Sequence, residues 1–261
     1  MKYIESKNND IFKNIKKLLL KPKNRKNFKR FVVEGLKEIT LCLESNYNLI
    51  ELYVCSEIHN KKYDDLYFKY KATNLSIKLY KELSYKEKGD GFLAIFHSKE
   101  FNLDQLILPK NPFILVAESP EKPGNIGAIL RTADAAGIDA VIIANLKTEI
   151  YNPNIIRSSL GSVFSSQIGV GKTKEVIEFL KRNKIKIIST LIRNSIDYSS
   201  VKFTGPCAII IGAESSPLSD DWVNISDELI NIPMKGKMDS LNLSVTAAIV
   251  IFEALKQRKA N

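Results

Sequence analysis

Three short polar stretches hold the side chains of this chain most able to do chemistry. In PGNIGAILRTADAAG, residues 123–137, Asn125 and Arg131 stand six positions apart, nearly two turns if the stretch is helical. In CAIIIGAESSPL, residues 207–218, Glu214 follows an apolar run. In NIPMKGKMDSLNLS, residues 231–244, Ser240 and Asn242 precede a long apolar segment. An amide, a guanidinium, a carboxylate and a hydroxyl can orient a polar substrate and stabilise developing negative charge. Each also has a plainer use. Arg131 could be a surface residue and Glu214 a turn cap; Ser240 could be the N-cap of the last helix and Asn242 a surface amide.

Other chemistries lack their residues. GVGKT, residues 169–173, looks like the end of a phosphate-binding loop, but that motif needs a glycine where Ser166 stands. No apolar strand ends in an aspartate able to hold magnesium, and Gly212 closes CAIII instead. GxGxxG at a strand-to-helix turn, HExxH and GxSxG are absent. Three cysteines without a CxxC and two histidines argue against a zinc site or a disulfide framework and for a reducing, cytoplasmic setting. The expectation is therefore no metal. The longest apolar run, Val245 to Phe252, is too short to span a bilayer, and the chain starts without a signal-peptide pattern.

The elements that must position these residues read as α/β. FILVAE, AVIIA, KIKIIST, CAIIIGAE and LINIP are short apolar runs, most of them separated by helical stretches such as PGNIGAILRTADAAG and TKEVIEFLKRN. Near-continuous apolar strands alternating with helices predict a mainly parallel sheet covered on both faces. Ligands on such sheets sit beyond the carboxyl ends of the strands. Asn125 to Arg131, Thr190, Gly212 to Ser216 and Pro233 to Asn242 all fall there.

The first hundred residues predict a smaller α/β domain. Ile11, Ile15, Leu18 and Leu19 mark a helix capped by Asn9 or Asp10 and ended by Pro22. RFVVEG and LIELYVCS read as strands around the helix LKEITLCLES, with further alternation at 75–80 and 91–96. Residues 98–112, with two prolines and no periodicity, read as a linker between a domain at 1–97 and one at 113–261.

The net charge of the 261 residues is +10, and it is unevenly placed. Lys13, Lys16, Lys17, Lys21, Lys23, Arg25, Lys26, Lys29 and Arg30 follow one another with no acid among them. Such a run is either a solvated face or a phosphate-binding surface for nucleic acid. A membrane surface is disfavoured, because no large apolar face accompanies the charge.

Taken together, the motifs resemble the SpoU (TrmH-like) family of RNA ribose 2′-O-methyltransferases, of the SPOUT class. The first family motif is matched by Asn125, Gly127, Arg131 and Gly137, and the third by Pro233, Gly236, Ser240, Leu241, Asn242 and Glu253. NPNIIRSSLGSVF, residues 152–164, is similar to the segment between motifs, with Arg157, Ser158 and Gly161. The resemblance spans about 113–257, and the basic start with RFVVEG is similar to the substrate-binding domain of many ribosomal-RNA members. The second motif departs from the family pattern Gly-x-Glu-Gly-x-Gly-Leu. It keeps Gly212, Glu214 and Leu218 but has Ser215 and Pro217 at the later glycines, which reshapes any loop needing φ > 0.

The resemblance implies a trefoil-knotted sheet behind a small RNA-binding domain, and a homodimer in which one protomer completes the other's site. It implies S-adenosylmethionine held largely by backbone around Thr190, Leu191, Gly212, Ile232, Met234 and Leu241. Arg131 would be the central catalytic residue, with Asn125, Glu214, Ser240 and Asn242 around it. RNA would be held by the basic stretch (Lys16, Lys17, Lys21, Lys23, Arg25, Lys26, Lys29, Arg30) and by Arg157. Ribosomal RNA is the favoured substrate because of the extra domain. A transfer-RNA methyltransferase, or a non-catalytic RNA-binding protein that kept the fold, are the alternatives.

Overall fold

The computed structural model describes residues 2–59, 69–86, 89–213 and 218–259. By internal packing the chain forms two units, Met1–Glu100 with Ile150–Ser165, and Phe101–Glu149 with Ser166–Asn261.

In the first unit β1 (Tyr3–Ile4) leads to α1 (Asp10–Leu20) and α2 (Pro22–Phe28). There follow β2 (Arg30–Glu34), α3 (Leu36–Glu44), β3 (Leu49–Val54), β4 (Thr73–Leu75), α4 (Ile77–Leu83) and β5 (Phe92–His97). The five strands form one mixed sheet in the order β1-β4-β3-β5-β2. Asn9 caps α1, its Oδ1 accepting from the Ile11 amide at 2.9 Å. Pro22 stops α1 as expected and also starts α2, where its fixed φ suits the first helical position and its missing N–H costs nothing. Strand β4 ends at Leu75, and residues 76–80 do not continue it. Ser76 accepts from the Leu79 amide at 3.5 Å, so the chain turns into α4 directly after β4. The buried residues of α4, Leu79, Tyr80 and Leu83, follow helical spacing, and Ile77 is only partly buried, so the period-2 reading fails past Leu75.

The second unit opens with β6 (Phe113–Glu118), α5 (Pro123–Ala136) and β7 (Ala140–Ala144). The chain then gives α6 (Pro153–Ser159) and α7 (Ser162–Ser165) to the first unit. This departs from the sequence reading, which assigns 150–165 to the second domain. An aromatic cluster accounts for it. The Tyr151 ring stacks on Phe31 at 4.1 Å, and Phe164 packs against both Phe31 and Tyr47. The Tyr151 hydroxyl also accepts from the Lys99 amide at 2.8 Å.

The second unit resumes with β8 (Ile168–Gly171), α8 (Thr173–Arg182), β9 (Lys186–Thr190), β10 (Ile196–Asp197) and β11 (Cys207–Ile211). It ends with α9 (Asp220–Val223), β12 (Glu228–Asn231) and α10 (Leu243–Lys259). Its seven strands run in the order β10-β12-β9-β11-β6-β7-β8, each pair parallel. Strand periodicity sends Ile114, Val116, Ile142, Ala208 and Ile210 to one face, against Val176, Phe179 and Trp222 of α8 and α9. α5 and α10 pack on each other, and α10 packs on β11. Residues 101–112 are not a free linker, since the Phe101 carbonyl accepts from the Val170 amide at 2.8 Å and Leu103, Leu106 and Leu108 pack on the core.

Candidate active site

The strand order of the second sheet reverses at β6, which lies between β11 and β7. Crevices form beyond the carboxyl ends at such a reversal. From β6 the chain passes Ser119, at φ 48°, and enters α5 with Pro123 at its first turn. Ile126, Ile129, Leu130 and Ala133 bury one side of α5, and Gly137 ends it in the left-handed region at φ 67°. Asn125 is half-buried. Arg131 is exposed and forms no hydrogen bond or ion pair among the described residues.

At the end of β9, Thr190 Oγ1 donates to the Ile210 carbonyl at 3.1 Å and the Leu191 amide to the Ile230 carbonyl at 2.8 Å. The next loop folds back on itself, Ser195 Oγ donating to the Leu191 carbonyl at 2.6 Å. Asn231, the last residue of β12, clamps that loop through Nδ2 to the Ser195 carbonyl and Oγ at 3.0 and 2.9 Å. Sequence reasoning passed over Ser195 and Asn231; an amide ending an apolar strand was the available signal.

Beyond β12 the chain behaves differently. Between Ile232 and Leu241 no backbone group forms a hydrogen bond among the described residues. Ile232 is half-buried, Met234 and Leu241 are exposed, and Met238 is 79% exposed. Exposed backbone donors and acceptors beside apolar side chains suit a ligand held by main-chain hydrogen bonds, as a nucleoside-type cofactor such as S-adenosylmethionine would be. Gly212, after β11, is half-buried, and a Cβ there would stand 3.3 Å from the Leu218 amide nitrogen. Glu214 lies outside the described residues.

Asn242, not Ser240, caps α10. Its Oδ1 accepts from the Ser244 amide at 2.9 Å and from Ser244 Oγ at 2.7 Å, and its carbonyl accepts from Val245 and Thr246. Ser240 is exposed and stands ahead of the cap. The same Asn242 extends Nδ2 to Asn125 Oδ1 at 3.4 Å, joining the start of α10 to the start of α5. The structure therefore brings two of the sequence-derived residues together, while Arg131, two turns further along α5, stands apart. The cysteines offer no thiolate nearby. All three are buried, and desolvation pushes the Cys207 thiol up to about 11 although Arg258 and Lys186 oppose the shift.

The basic stretch lies in the first unit. Lys17, Lys21, Lys23 and Lys26 are exposed. Arg25 is not available to a phosphate. It is buried, and its Nη1 donates to the Leu18 carbonyl and, at 2.8 Å, to the Leu19 carbonyl, capping the end of α1. Lys16 pairs with Glu82 at 2.7 Å, and hydrogen bonds from Lys16 and Lys7 hold that carboxyl below its usual range. Lys29 lies 3.3 Å from Glu100, Arg30 is half-buried in β2, and Arg157 is exposed on α6.

Residues 112–252 match the SpoU rRNA Methylase family, and residues 8–94 match the MRM3-like substrate binding domain. The chain is 28% identical over 252 residues to the 23S rRNA (guanosine(2553)-2′-O)-methyltransferase RlmP of Bacillus subtilis, covering 97% of this chain and 98% of that one. A crystal structure of an RNA 2′-O ribose methyltransferase superposes with a TM-score of 0.87 at 34% identity, covering 98% of this chain and 99% of the other. The SpoU methyltransferase AviRb of Streptomyces viridochromogenes, in complex with the cofactor AdoMet, also gives 0.87, at 26% identity over 97% of this chain and 99% of its own. With more than half its length matched by the family, and with the family's motifs on adjoining loops at one edge of a parallel sheet, this chain belongs to the SpoU rRNA methylase family.

Proposed function

We propose that this protein transfers a methyl group from S-adenosylmethionine to a ribose 2′-hydroxyl of ribosomal RNA. The observation that carries the reading is the Asn242–Asn125 contact beside the unbonded backbone of 232–241. It supports a cofactor held beside the start of the helix that bears Arg131. A relative of nearly the same length acts on 23S rRNA, and the substrate-binding match in the first unit supports the same choice of RNA.

S-adenosylmethionine supplies a methyl group already activated on a sulfonium. The backbone around Thr190, Leu191, Gly212, Ile232, Met234 and Leu241 would hold it. What remains for the protein is to align the hydroxyl and to stabilise the charge that forms on its oxygen. Arginine is not deprotonated in proteins, so Arg131 is not the base. It clamps the phosphate beside the target ribose and stabilises the developing alkoxide, and the proton leaves to phosphate or water. Asn125, Glu214, Ser240 and Asn242 orient Arg131 and the ribose. On this reading the chain is threaded through a trefoil knot, and its last loops form the cofactor pocket.

The same reading makes the protein a homodimer. α10 buries Leu243, Ala247, Val250, Ile251 and Ala254, yet leaves Val245 45% and Phe252 49% exposed on its other side. A helix apolar all round is ordinarily covered all round. A second copy laid on α10 and on its neighbour α5 would cover this side and would take Arg131 toward the partner's cofactor loops. The test is to map ribose methylation in ribosomal and transfer RNA from a deletion strain. One 2′-O-methyl should vanish from ribosomal RNA and return with the wild-type gene but not with Arg131→Ala. Loss confined to transfer RNA would refute the substrate, and no loss anywhere would refute the activity.

A further inference from the structure

The carboxyl edge of the second sheet holds a buried acid that the proposed chemistry does not use. Glu118, the last residue of β6, is 6% exposed. Its Oε1 accepts from Thr173 Oγ1 and from Ser219 Oγ, each at 2.9 Å, and its Oε2 accepts from the Ser219 amide at 3.1 Å. No cation pairs with it among the described residues, so neutral donors alone hold a buried carboxylate. Such bonds are stronger than neutral ones, and losing a donor from a buried acid is costly.

The donors come from loops that must be placed relative to each other. Thr173 opens α8 and is tied to Asn145, which donates from Nδ2 to Thr173 Oγ1 at 2.7 Å. Ser219 directly follows Leu218, and Leu218 is the residue packed against Gly212. Gly212, where the chain leaves β11, is therefore linked through Leu218 and Ser219 to Glu118. The loop that leaves β6 at Glu118 leads into α5, which carries Asn125 and Arg131. One carboxylate therefore ends the strand that leads into α5 and also holds Ser219, next to Leu218 and Gly212.

We infer that Glu118 is a positioning residue, which through Ser219 and Leu218 holds Gly212, at the end of β11, in the place that S-adenosylmethionine requires. The claim rests on the cofactor reading above.

The two bonds to Oε1 give the control, since they are equal in length and end on the same oxygen. Ser219→Ala removes one of them, and it costs α9 no cap because Ser219 makes no capping bond from its side chain. Thr173→Val removes the other and also the bond from Asn145. If Glu118 served the fold alone, Thr173→Val would be the more harmful change in every assay. Positioning predicts a split. Ser219→Ala should raise the dissociation constant for S-adenosylmethionine about tenfold, and Thr173→Val should leave it within about twofold while lowering Tm more. Glu118→Gln, which keeps the shape but replaces one acceptor by a donor, should weaken the cofactor at least as much as Ser219→Ala. Without cofactor, hydrogen exchange at the Ser219 amide should quicken in Glu118→Gln and stay slow in Thr173→Val. Calorimetry on the wild type comes first, and a wild type that binds no S-adenosylmethionine refutes the cofactor reading itself. Given wild-type binding, normal affinity in Ser219→Ala, or equal weakening in Thr173→Val, overturns the role of Glu118.

Discussion

Asn242 carries two functions that substitution can separate. Its Oδ1 caps α10 through the Ser244 amide at 2.9 Å, and its Nδ2 reaches Asn125 at 3.4 Å. Asn242→Ala removes both. Loss of an N-cap costs about 1 kcal/mol, within a range of roughly 0.5–2. The long, exposed amide–amide bond adds little to stability. For a unit of this size the change lowers Tm by about 2–4 °C. Asn242→Asp keeps an acceptor at the same place, so the cap survives, but the donor toward Asn125 is gone. The aspartate should therefore melt within about 1 °C of wild type and still lose turnover by about tenfold or more, equivalent to ~1.4 kcal/mol of transition-state stabilisation. Thermal melts and single-turnover methyl transfer on one RNA fragment would be measured for both variants. Full turnover in Asn242→Asp would show that the contact between the two helix starts has no part in the reaction. An unchanged Tm in Asn242→Ala would show that the cap is not what holds α10 in place.

Arg131→Ala should abolish methyl transfer while leaving S-adenosylmethionine affinity within about threefold, as calorimetry and turnover on one preparation will show; near-normal turnover removes it from the mechanism. Replacing Lys17, Lys21, Lys23 and Lys26 by alanine should reduce the log–log salt slope of RNA binding by roughly 0.7 to 0.9 for each phosphate left without its lysine, up to about three units, and an unchanged slope returns these charges to a solubility role. Arg25→Ala should leave that slope unchanged and instead lower stability by on the order of 1–3 kcal/mol in denaturant unfolding, because it strips the buried end of α1. Phe252→Lys should convert the proposed dimer to monomer in sedimentation and abolish turnover with it; an active monomer would refute the proposal that the partner completes the site.

Much of this architecture was legible because its signals are local. FILVAE and AVIIA are strands with the boundaries their apolar runs suggest, and Pro123 and Gly137 bracket α5 as a start and a stop should. What was not legible depends on partners distant in sequence. Nothing near Tyr151 announces that it will stack on Phe31, so the grouping of 150–165 with the first unit could not be read from the chain. Arg25 looked like one more cation in a basic run, and only the neighbouring end of α1 turns it into a cap. Ser76 was a clearer loss. A serine before Ile77 and Leu79 is a capping signal, and it outweighs period-2 alternation over so few residues.

The polar junction between β12 and α10 shows why a site of this kind leaves a faint trace in a sequence. A turn that only reverses the chain satisfies its own backbone, since unpaired amides and carbonyls must find partners or water. Residues 232–241 find no such partners in the rest of the described chain, and they place Met234, Met238 and Leu241 in the open beside those groups. Main-chain recognition asks little of side-chain identity, so the proposed cofactor residues are marked by where they fall after a strand more than by what they are. In the proposed reaction the residues that need a particular side chain act on the RNA side. As proposed, Arg131 would need to be an arginine to clamp a phosphate in a fixed orientation, whereas at Asn242 the amide serves to donate to Asn125 as well as to cap α10. A lysine at position 131 would keep the charge and lose the fork, so Arg131→Lys should recover RNA affinity without recovering turnover. If that variant proves active, charge alone suffices at this position, and the role argued for the guanidinium is wrong.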